Sequence, residues 1–292
     1  ANTQYPSNMD SANTRLSTEQ TTLSSVSNLL DSVRSMAIQG INGTLSSSDR
    51  AGMATQLSQL RDQLVQLANT TDSNGNALFA GTSTSTTPFV KSASGAVSYT
   101  GNDATQMASA GPGLQIPTSD PGSGLFMNIP SGNGTFTASA GSANTGTLVV
   151  GANSVTDPAA WSSASASSGG GYVISFGASG SWTAADANGN PVLDTSGSPV
   201  GGTYQDGGNI TFNGMSITMN GTPAAGDTVG VQSGGTQDVF TTLNNMISAL
   251  QGSESSTQLT NNLNRQIESL DQVSSAVTGT EVAVGGRINT IT

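Results

Sequence analysis

The sequence of 292 residues contains neither cysteine nor histidine. These residues are the usual ligands of zinc and the usual members of nucleophilic triads, and cysteine also holds iron–sulfur clusters and forms disulfides. A disulfide is therefore excluded. We predict no metal site, no bound cofactor and no enzymatic activity.

Positive charge is also scarce. Seven Lys and Arg residues oppose eighteen Asp and Glu residues, which gives a net charge of −11. Nucleic acids and anionic membranes both attract basic surfaces, so we predict no nucleic-acid partner and no membrane partner. No apolar run approaches the roughly 20 residues that span a bilayer. Residues 1–10 lack the basic and apolar segments of a signal peptide.

Apolar residues near the start of the chain recur every seven positions, which places them on one face of a helix. We predict a long helix that stops at the pair Gly40 and Gly43, with Glu19 interrupting its apolar face. Ser46 and Asp49 have the spacing of a capping box, which predicts a second helix up to the turn at 72–76. The predicted seam residues of these helices are Leu16, Leu23, Val26, Leu30, Val33, Leu57, Leu60, Leu64 and Leu67.

The same spacing returns at the other end of the chain. A short helix is predicted from Asp238 to Gly252, followed by a longer one with seam residues Leu263, Ile267, Leu270, Val277, Val284 and Ile288. A heptad of this length predicts a supercoiled rod, and we expect both chain ends to lie side by side in it. The first heptad starts without an initiator Met or a cap, and the last one still runs at Ile291. We therefore expect the chain to be a central fragment of a longer protein that lacks both terminal helices.

Between the helical ends, short apolar stretches alternate with Gly- and Pro-rich turns, which is typical of β-structure. Asn213-Gly214 between two such stretches predicts a two-residue hairpin. The stretch 125–129 is predicted as a strand, and the Ser-rich segment 162–171 as a loop.

The predicted fold class is therefore α+β. An elongated antiparallel helical bundle or coiled-coil rod is formed by both chain ends, and a β-rich domain is inserted between them. We place the rod halves at 1–80 and 236–292 and the β-rich domain at 81–235. Its first part, about 81–110, is a candidate to pack on the rod.

The aspartates of the β-rich segment are the strongest candidates for chemistry. Paired carboxylates serve in glycoside hydrolysis, but Asp is also a frequent turn residue, and we interpret all of these as turn residues. The turns at 72–76 and 186–190 carry alternating oxygen ligands but lack the acidic twelfth residue of a calcium loop. The aspartates of the β-rich segment that we interpret as turn residues are Asp103, Asp120, Asp157, Asp186, Asp194, Asp206 and Asp227.

Segments 60–72 and 74–82, together with 223–227 and 284–289, stand in an order and spacing that resemble the flagellin superfamily. Within it they resemble most the hook-associated protein 3 family of hook–filament junction proteins. The resemblance covers both helical ends well and the β-rich part in patches. It implies a helical inner domain formed by the chain ends and a projecting β-domain.

The resemblance also implies a function. Such proteins leave the cell through the flagellar type III apparatus without a cleaved signal. They form a ring, made of copies of themselves, between hook-associated protein 1 and the flagellin filament, and an export chaperone binds them before assembly. We therefore predict an extracellular structural protein without an active site, and a monomer for this chain alone.

Two alternatives stay open. The chain could be a fragment of flagellin or of hook-associated protein 1, or, in a different class, a secreted glycan-binding adhesin or enzyme built on the β-rich domain. The aromatic residues that would line a sugar cleft there are few: Trp161, Tyr172, Trp182 and Tyr204.

Overall fold

The computed structural model describes residues 4–291. The α-helices of this part of the chain are α1 (Gln4–Gly40), α2 (Ser47–Ala68), α3 (Pro158–Ser167), α4 (Val239–Gln251) and α5 (Ser256–Ile291). All but α3 come from the two ends of the chain and form an antiparallel rod, in which α1 packs along α5 and α2 packs along α4. This arrangement confirms the predicted α+β class, with helices at both ends and β-structure between them.

The helix starts follow from capping residues. The side chain of Ser46 accepts a hydrogen bond from the Asp49 backbone N–H, and the Asp49 carboxylate accepts one from the Ser46 N–H, so the predicted capping box is confirmed. Asp238 caps α4 in the same way, accepting from the N–H of Thr241 at 2.7 Å. Each cap satisfies amides that the first helical turn leaves without partners.

The middle of the chain is a set of short antiparallel strands. The strands are β1 (Phe89–Lys91), β2 (Val97–Tyr99), β3 (Met107–Gly111), β4 (Leu114–Pro117), β5 (Ile129–Pro130), β6 (Phe136–Ala140), β7 (Val149–Val155), β8 (Gly171–Phe176), β9 (Ser181–Asp186), β10 (Gly201–Thr203), β11 (Asn209–Phe212), β12 (Met215–Asn220), β13 (Thr228–Ser233) and β14 (Thr236–Gln237). A five-stranded sheet has the order β10-β9-β8-β13-β6, and a three-stranded sheet has the order β11-β12-β7. The pairs β1-β2, β3-β4 and β5-β14 form two-stranded sheets.

The apolar side chains form two separate cores. The rod core contains residues of α1, α2, α4 and α5 together with segment 78–129, whose Phe89 packs against Phe126 and Phe240 with ring centroids 5.3 and 5.8 Å apart. The second core contains residues 136–231, and we call residues 136–233 the insert. The cores thus separate after Ile129 and before Val239. The predicted division at residues 81 and 235 stays a prediction.

Two local predictions were wrong. Segment 162–171 lies largely in α3, which begins with Asp157 as N-cap and Pro158 in its first turn. These two residues are a helix-start signal, but the Ser-rich composition of the segment led to the prediction of a loop. Segment 125–129 is mostly a single π-helical turn, Ser123–Met127, rather than a strand. Its buried Leu125 and Phe126 fill the rod core, so the apolar run reflects burial and not strand pairing.

The predicted hairpin at Asn213-Gly214 is confirmed. It joins β11 to β12, with Phe212 opposite Met215, and both turn residues have positive φ, 49° and 77°. That conformation matches the twist of the flanking strands and suits Asn and Gly.

Candidate functional site

The predicted seam residues all lie in the rod core. Leu60, Leu67, Ile267 and Ile288 are partly buried at its margin, and the others are buried. The buried set comprises Leu16, Leu23, Val26, Leu30, Val33, Leu57, Leu64, Leu263, Leu270, Val277 and Val284. The seam therefore joins the first and last parts of the chain into one apolar stripe.

Polar contacts along the flank of the seam fix the register between α1 and α5. Arg34 Nε lies 3.0 Å from Asp271 Oδ1, and Ser24 Oγ donates to Glu281 Oε1 at 2.6 Å. Ten residues back along α1, from Arg34 to Ser24, correspond to ten residues forward along α5, from Asp271 to Glu281, as an antiparallel pair of helices requires. One slip along either helix would break both contacts together.

Arg15 ties α1 to the loops that cover it. Its guanidinium forms an ion pair with Asp72, with Nη1 and Oδ2 2.6 Å apart, and it also donates to the backbone oxygens of Ala77, Leu78 and Thr118. All four contacts arise from one largely buried side chain. Charge-assisted bonds of this kind are among the stronger ones in proteins, so Arg15 fastens segments 72–78 and 118 to the rod.

Glu19 is a fully buried carboxyl in the same part of the rod, and neither of its oxygens has a hydrogen-bond partner. Nearby, Arg287 of α5 holds Asp120 through two bonds of 2.6 and 3.0 Å. Burial, and after it the charge of Asp120, raises the pKa of Glu19 to about 9, against the opposing effect of Arg287 and Arg15. Glu19 is therefore protonated at neutral pH.

This cluster was not predicted. Sequence reasoning noted Glu19 only as an interruption of the apolar face and Asp120 as a turn residue. The available signal was the placement of Arg15 and Glu19 within a heptad-bearing helix, since charged residues near a seam are seldom left without partners.

The outer surface of the rod is polar but carries little charge, and some apolar side chains emerge from it. Ser and Thr of α1 bond to the carbonyls of their own helix, as Thr14, Thr18 and Ser25 do. Val282 on α5 is 72% exposed, the most of any large apolar side chain in the described part of the chain. Of the other exposed large apolar side chains within residues 4–291, only Ile38 lies on a rod helix. Val90, Met107 and Leu114 lie on strands β1, β3 and β4, and Val173 and Leu193 lie in the insert. Such a surface can approach a neighbour with little charge repulsion or desolvation.

Most of the candidate aspartates accept hydrogen bonds from the backbone of turns, loops and helix starts. Two differ: Asp120, predicted to be a turn residue, pairs instead with Arg287, and Asp103 accepts a hydrogen bond from Ser123 Oγ. Asp72, Asp186 and Asp194 each accept hydrogen bonds from the backbone N–H groups two and four residues later, and a glycine with positive φ stands in between. Asp157 caps α3. Within residues 4–291, no cluster of three or more acidic residues is arranged to hold a metal ion. None of the helices described combines the length and apolarity of a membrane span.

The aromatic residues that the glycan-binding alternative would require are mostly occupied in the insert core. Trp161 packs against Phe136 and Tyr172, with ring centroids 5.0 and 6.1 Å apart, and all three are buried. Trp182 stacks on Phe212 at 6.2 Å. These rings stabilise the sheets and do not form an aromatic surface for a sugar.

Comparison with known proteins shows similarity to flagellar proteins at two scales. Residues 1–84 match the model of the bacterial flagellin N-terminal helical region. The flagellar hook-associated protein 3 of Escherichia coli K12 is 44% identical over 88 residues, which are 30% of this chain. That match spans only 28% of the E. coli protein.

Solved structures match the chain nearly end to end. FlgL of Xanthomonas campestris superposes with a TM-score of 0.86 at 31% identity and covers 99% of this chain and 92% of its own. Hook-associated protein 3 of Legionella pneumophila superposes with a TM-score of 0.87 at 29% identity, over 98% of this chain and 88% of its own. Both the helical rod and the insert are therefore common to these proteins and this chain.

Proposed function

The chain belongs to the flagellar hook-associated protein 3 (FlgL) family, and from this premise we propose that it is a structural subunit of the junction between the flagellar hook and the filament. Its action is mechanical: it adapts the subunit lattice of the hook side to that of the filament. The observation that carries the proposal is the match of the whole chain, rod and insert together, to FlgL structures.

The proposed partners are copies of the chain itself in a ring, hook-associated protein 1 on one side and flagellin on the other. An export chaperone holds the chain before assembly. The proposed location is extracellular, on the flagellum, after passage through the flagellar type III apparatus. A helical surface with few charges supports side-by-side packing of identical rods, because fewer like charges then meet at each contact.

In this mechanism the seam keeps each rod as one stiff body, and neighbouring rods contact one another through their Ser- and Thr-rich faces. The insert stands on the outer surface of the assembly. The separation of the rod core from the insert core supports this division of roles. A structural adaptor needs no catalytic group, in keeping with turn-forming aspartates and core-packed aromatics.

The test is complementation in a motile bacterium that lacks its own hook-associated protein 3, with the gene that encodes this chain. We expect filaments to be restored, and immunogold label against the insert to mark one narrow band at the hook–filament boundary. Label along the whole filament would favour flagellin instead, and a normal filament without label at the boundary would refute the proposal.

A matched pair of variants tests the part played by the rod. Leu23→Asp puts a charge into the fully buried seam, whereas Ser25→Asp changes an exposed position two residues away. We expect the first to abolish filament attachment and the second to preserve it. Secretion of both into the medium shows whether export or assembly has failed.

The isolated chain is expected to be a monomer. Light scattering that gave a stable ring would show that these residues suffice for assembly. Specific binding of the purified insert on a glycan array would instead favour the adhesin alternative.

A further inference from the structure

The strand β7 lies at one edge of its sheet. It pairs with β12 on one side, and no strand of the described chain pairs with its other side. An open edge presents backbone N–H and C=O groups that readily recruit a strand from another molecule, a hazard in any assembly that crowds many copies together. Here the edge faces α5.

Side chains of α5 occupy the place of a further strand. Asn261 accepts from the Val150 N–H at 2.8 Å through Oδ1 and donates to the Leu148 carbonyl at 3.0 Å through Nδ2. Asn264 donates to the Val150 carbonyl at 3.1 Å. The amide of Asn261 thus offers one donor and one acceptor to the edge, as a peptide group of a neighbouring strand would.

The same face of α5 continues these contacts in both directions. Glu268 Oε1 accepts from the backbone N–H and from the side-chain amide of Asn153, at 3.2 and 3.1 Å. Gln258 donates to the Ser142 carbonyl at 2.8 Å, and Arg265 donates to Ser139 Oγ at 3.1 Å. We call Gln258, Asn261, Asn264, Arg265 and Glu268 the latch.

The latch residues follow the spacing of a single helix face, opposite the rod-core residues Leu259, Leu263 and Leu270. All five are polar, and Leu148 and Val150 of the insert belong to the insert core and not to the rod core. The joint is therefore held by hydrogen bonds with little apolar burial. Such contacts give modest net stability and can exchange with water, which suits a joint that opens and closes.

We propose that the latch is a reversible clasp between the rod and the insert, in which α5 covers the β7 edge as a substitute strand. When the clasp is closed, the insert is fixed against the rod. When it is open, the insert hangs on its two connecting segments and the β7 edge is free.

Glu268 makes the clasp sensitive to pH. Burial raises the pKa of its carboxyl to about 7, against the hydrogen bonds from Asn153, and the charge of Asp271 adds to the rise. On α5 the charged neighbours are Arg265 and Asp271, and across from Asp271 lies Arg34 of α1. The strands that pack against α5 are β5, β6 and β7, and they contain no titratable side chain.

A higher pH weakens the clasp, because the pKa of Glu268 is raised in the closed joint. A carboxyl whose pKa is higher in the closed joint keeps its proton there and releases it when exposed, so opening becomes easier as pH rises. The proton on Glu268 stabilises the closed joint fully below about pH 4.5, and this stabilisation is lost once the pH exceeds about 7.

Amide hydrogen exchange, followed by NMR on the full chain, tests the clasp directly, because the amides of Val150 and Asn153 donate to latch side chains. Between pH 5 and pH 8 we expect their protection factors, corrected for intrinsic exchange, to fall about tenfold or more. Glu268→Gln should remove this pH dependence. Asn261→Ala should lower the protection of Val150 at every pH, and Asn289→Ala, at an exposed position on the same helix, should change neither.

Amides shared between β11 and β12 provide the internal control, since they do not involve α5. If they lost protection in parallel with Val150, the whole insert would be unfolding and the proposal would be wrong. Unchanged Val150 protection in Asn261→Ala, or a pH dependence that persists in Glu268→Gln, would also overturn it.

Discussion

Arg34 of α1 and Asp271 of α5 are separated by 237 residues in the sequence, yet they form an ion pair with Nε and Oδ1 3.0 Å apart. Their side chains are 44% and 48% exposed, so water and salt weaken the attraction. We expect Arg34→Ala to lower the free energy of unfolding by less than about 1 kcal/mol. Urea denaturation at low and at 1 M NaCl measures this, and high salt should remove the difference.

Arg287 is the internal comparison for that pair. It bonds Asp120 twice, and both side chains are only 21% exposed. Arg287→Ala should therefore destabilise more, by about 1.5–3 kcal/mol, and with less dependence on salt. Equal losses in the two variants would mean that burial does not distinguish the pairs.

Leu64 and Leu67 lie one turn apart on α2 and differ in burial: Leu64 is 0% exposed, and Leu67 packs at the margin of the core. We expect Leu64→Ala to lower the free energy of unfolding by about 3–5 kcal/mol, because the rigid core leaves a cavity. Leu67→Ala should lower the free energy of unfolding by less than half of that amount. Denaturant titration of both variants, with equal m-values as the check on a two-state transition, decides the matter.

The buried carboxyl of Glu19 should make the rod sensitive to alkaline pH. Its pKa is about 9 in the folded chain against 4.5 for the exposed group, so the free energy of unfolding should fall as pH rises through this interval. At pH 8, Glu19→Leu should be more stable than the parent by about 1–4 kcal/mol, and at pH 4 the gain should shrink.

Thermal unfolding across pH 4–9 measures this effect. A Glu19→Leu protein that is less stable than the parent at both extremes would indicate that Arg15 and Arg287 stabilise the carboxyl enough to outweigh its burial.

Gly214 and Gly189 both have positive φ, 77° and 85°, but their surroundings differ. A Cβ at Gly214 would lie 2.1 Å from the backbone oxygen of Asp157, whereas nothing lies within 4 Å of one at Gly189. Gly189→Ala should therefore lower the free energy of unfolding by about 1–2 kcal/mol, from backbone strain alone. Gly214→Ala should cost clearly more, because α3 must move, and circular dichroism melts of the two variants give the difference.

Sequence reasoning predicted the helices well, because seam residues such as Leu16, Leu23 and Leu270 recur at a period that only a helix satisfies. It also predicted the hairpin at Asn213-Gly214, where turn geometry restricts the choice of residues. Helix α3 was missed, since its Ala- and Ser-rich sequence has no strong period, and its burial rests on Trp161 alone.

The polar contacts were beyond prediction for a different reason. Glu19 and Asp120, or Asn261 and Val150, are more than 100 residues apart, and the hydrogen bond of an amide side chain leaves no periodic trace. Apolar patterning specifies which face of α5 is buried against α1. It does not specify what the opposite face touches, and there the insert is docked.

The paired strands β5 and β14 align Ile129 with Gln237 and Pro130 with Thr236. The polypeptide leaves the rod and re-enters it through this narrow stem, whose two sides are about 5 Å apart. Lengthening or shortening the chain beyond the stem therefore leaves the spacing of the heptads untouched. The stem is a natural graft point, at which a foreign domain with closely spaced ends can replace the native one while the helical framework keeps its shape.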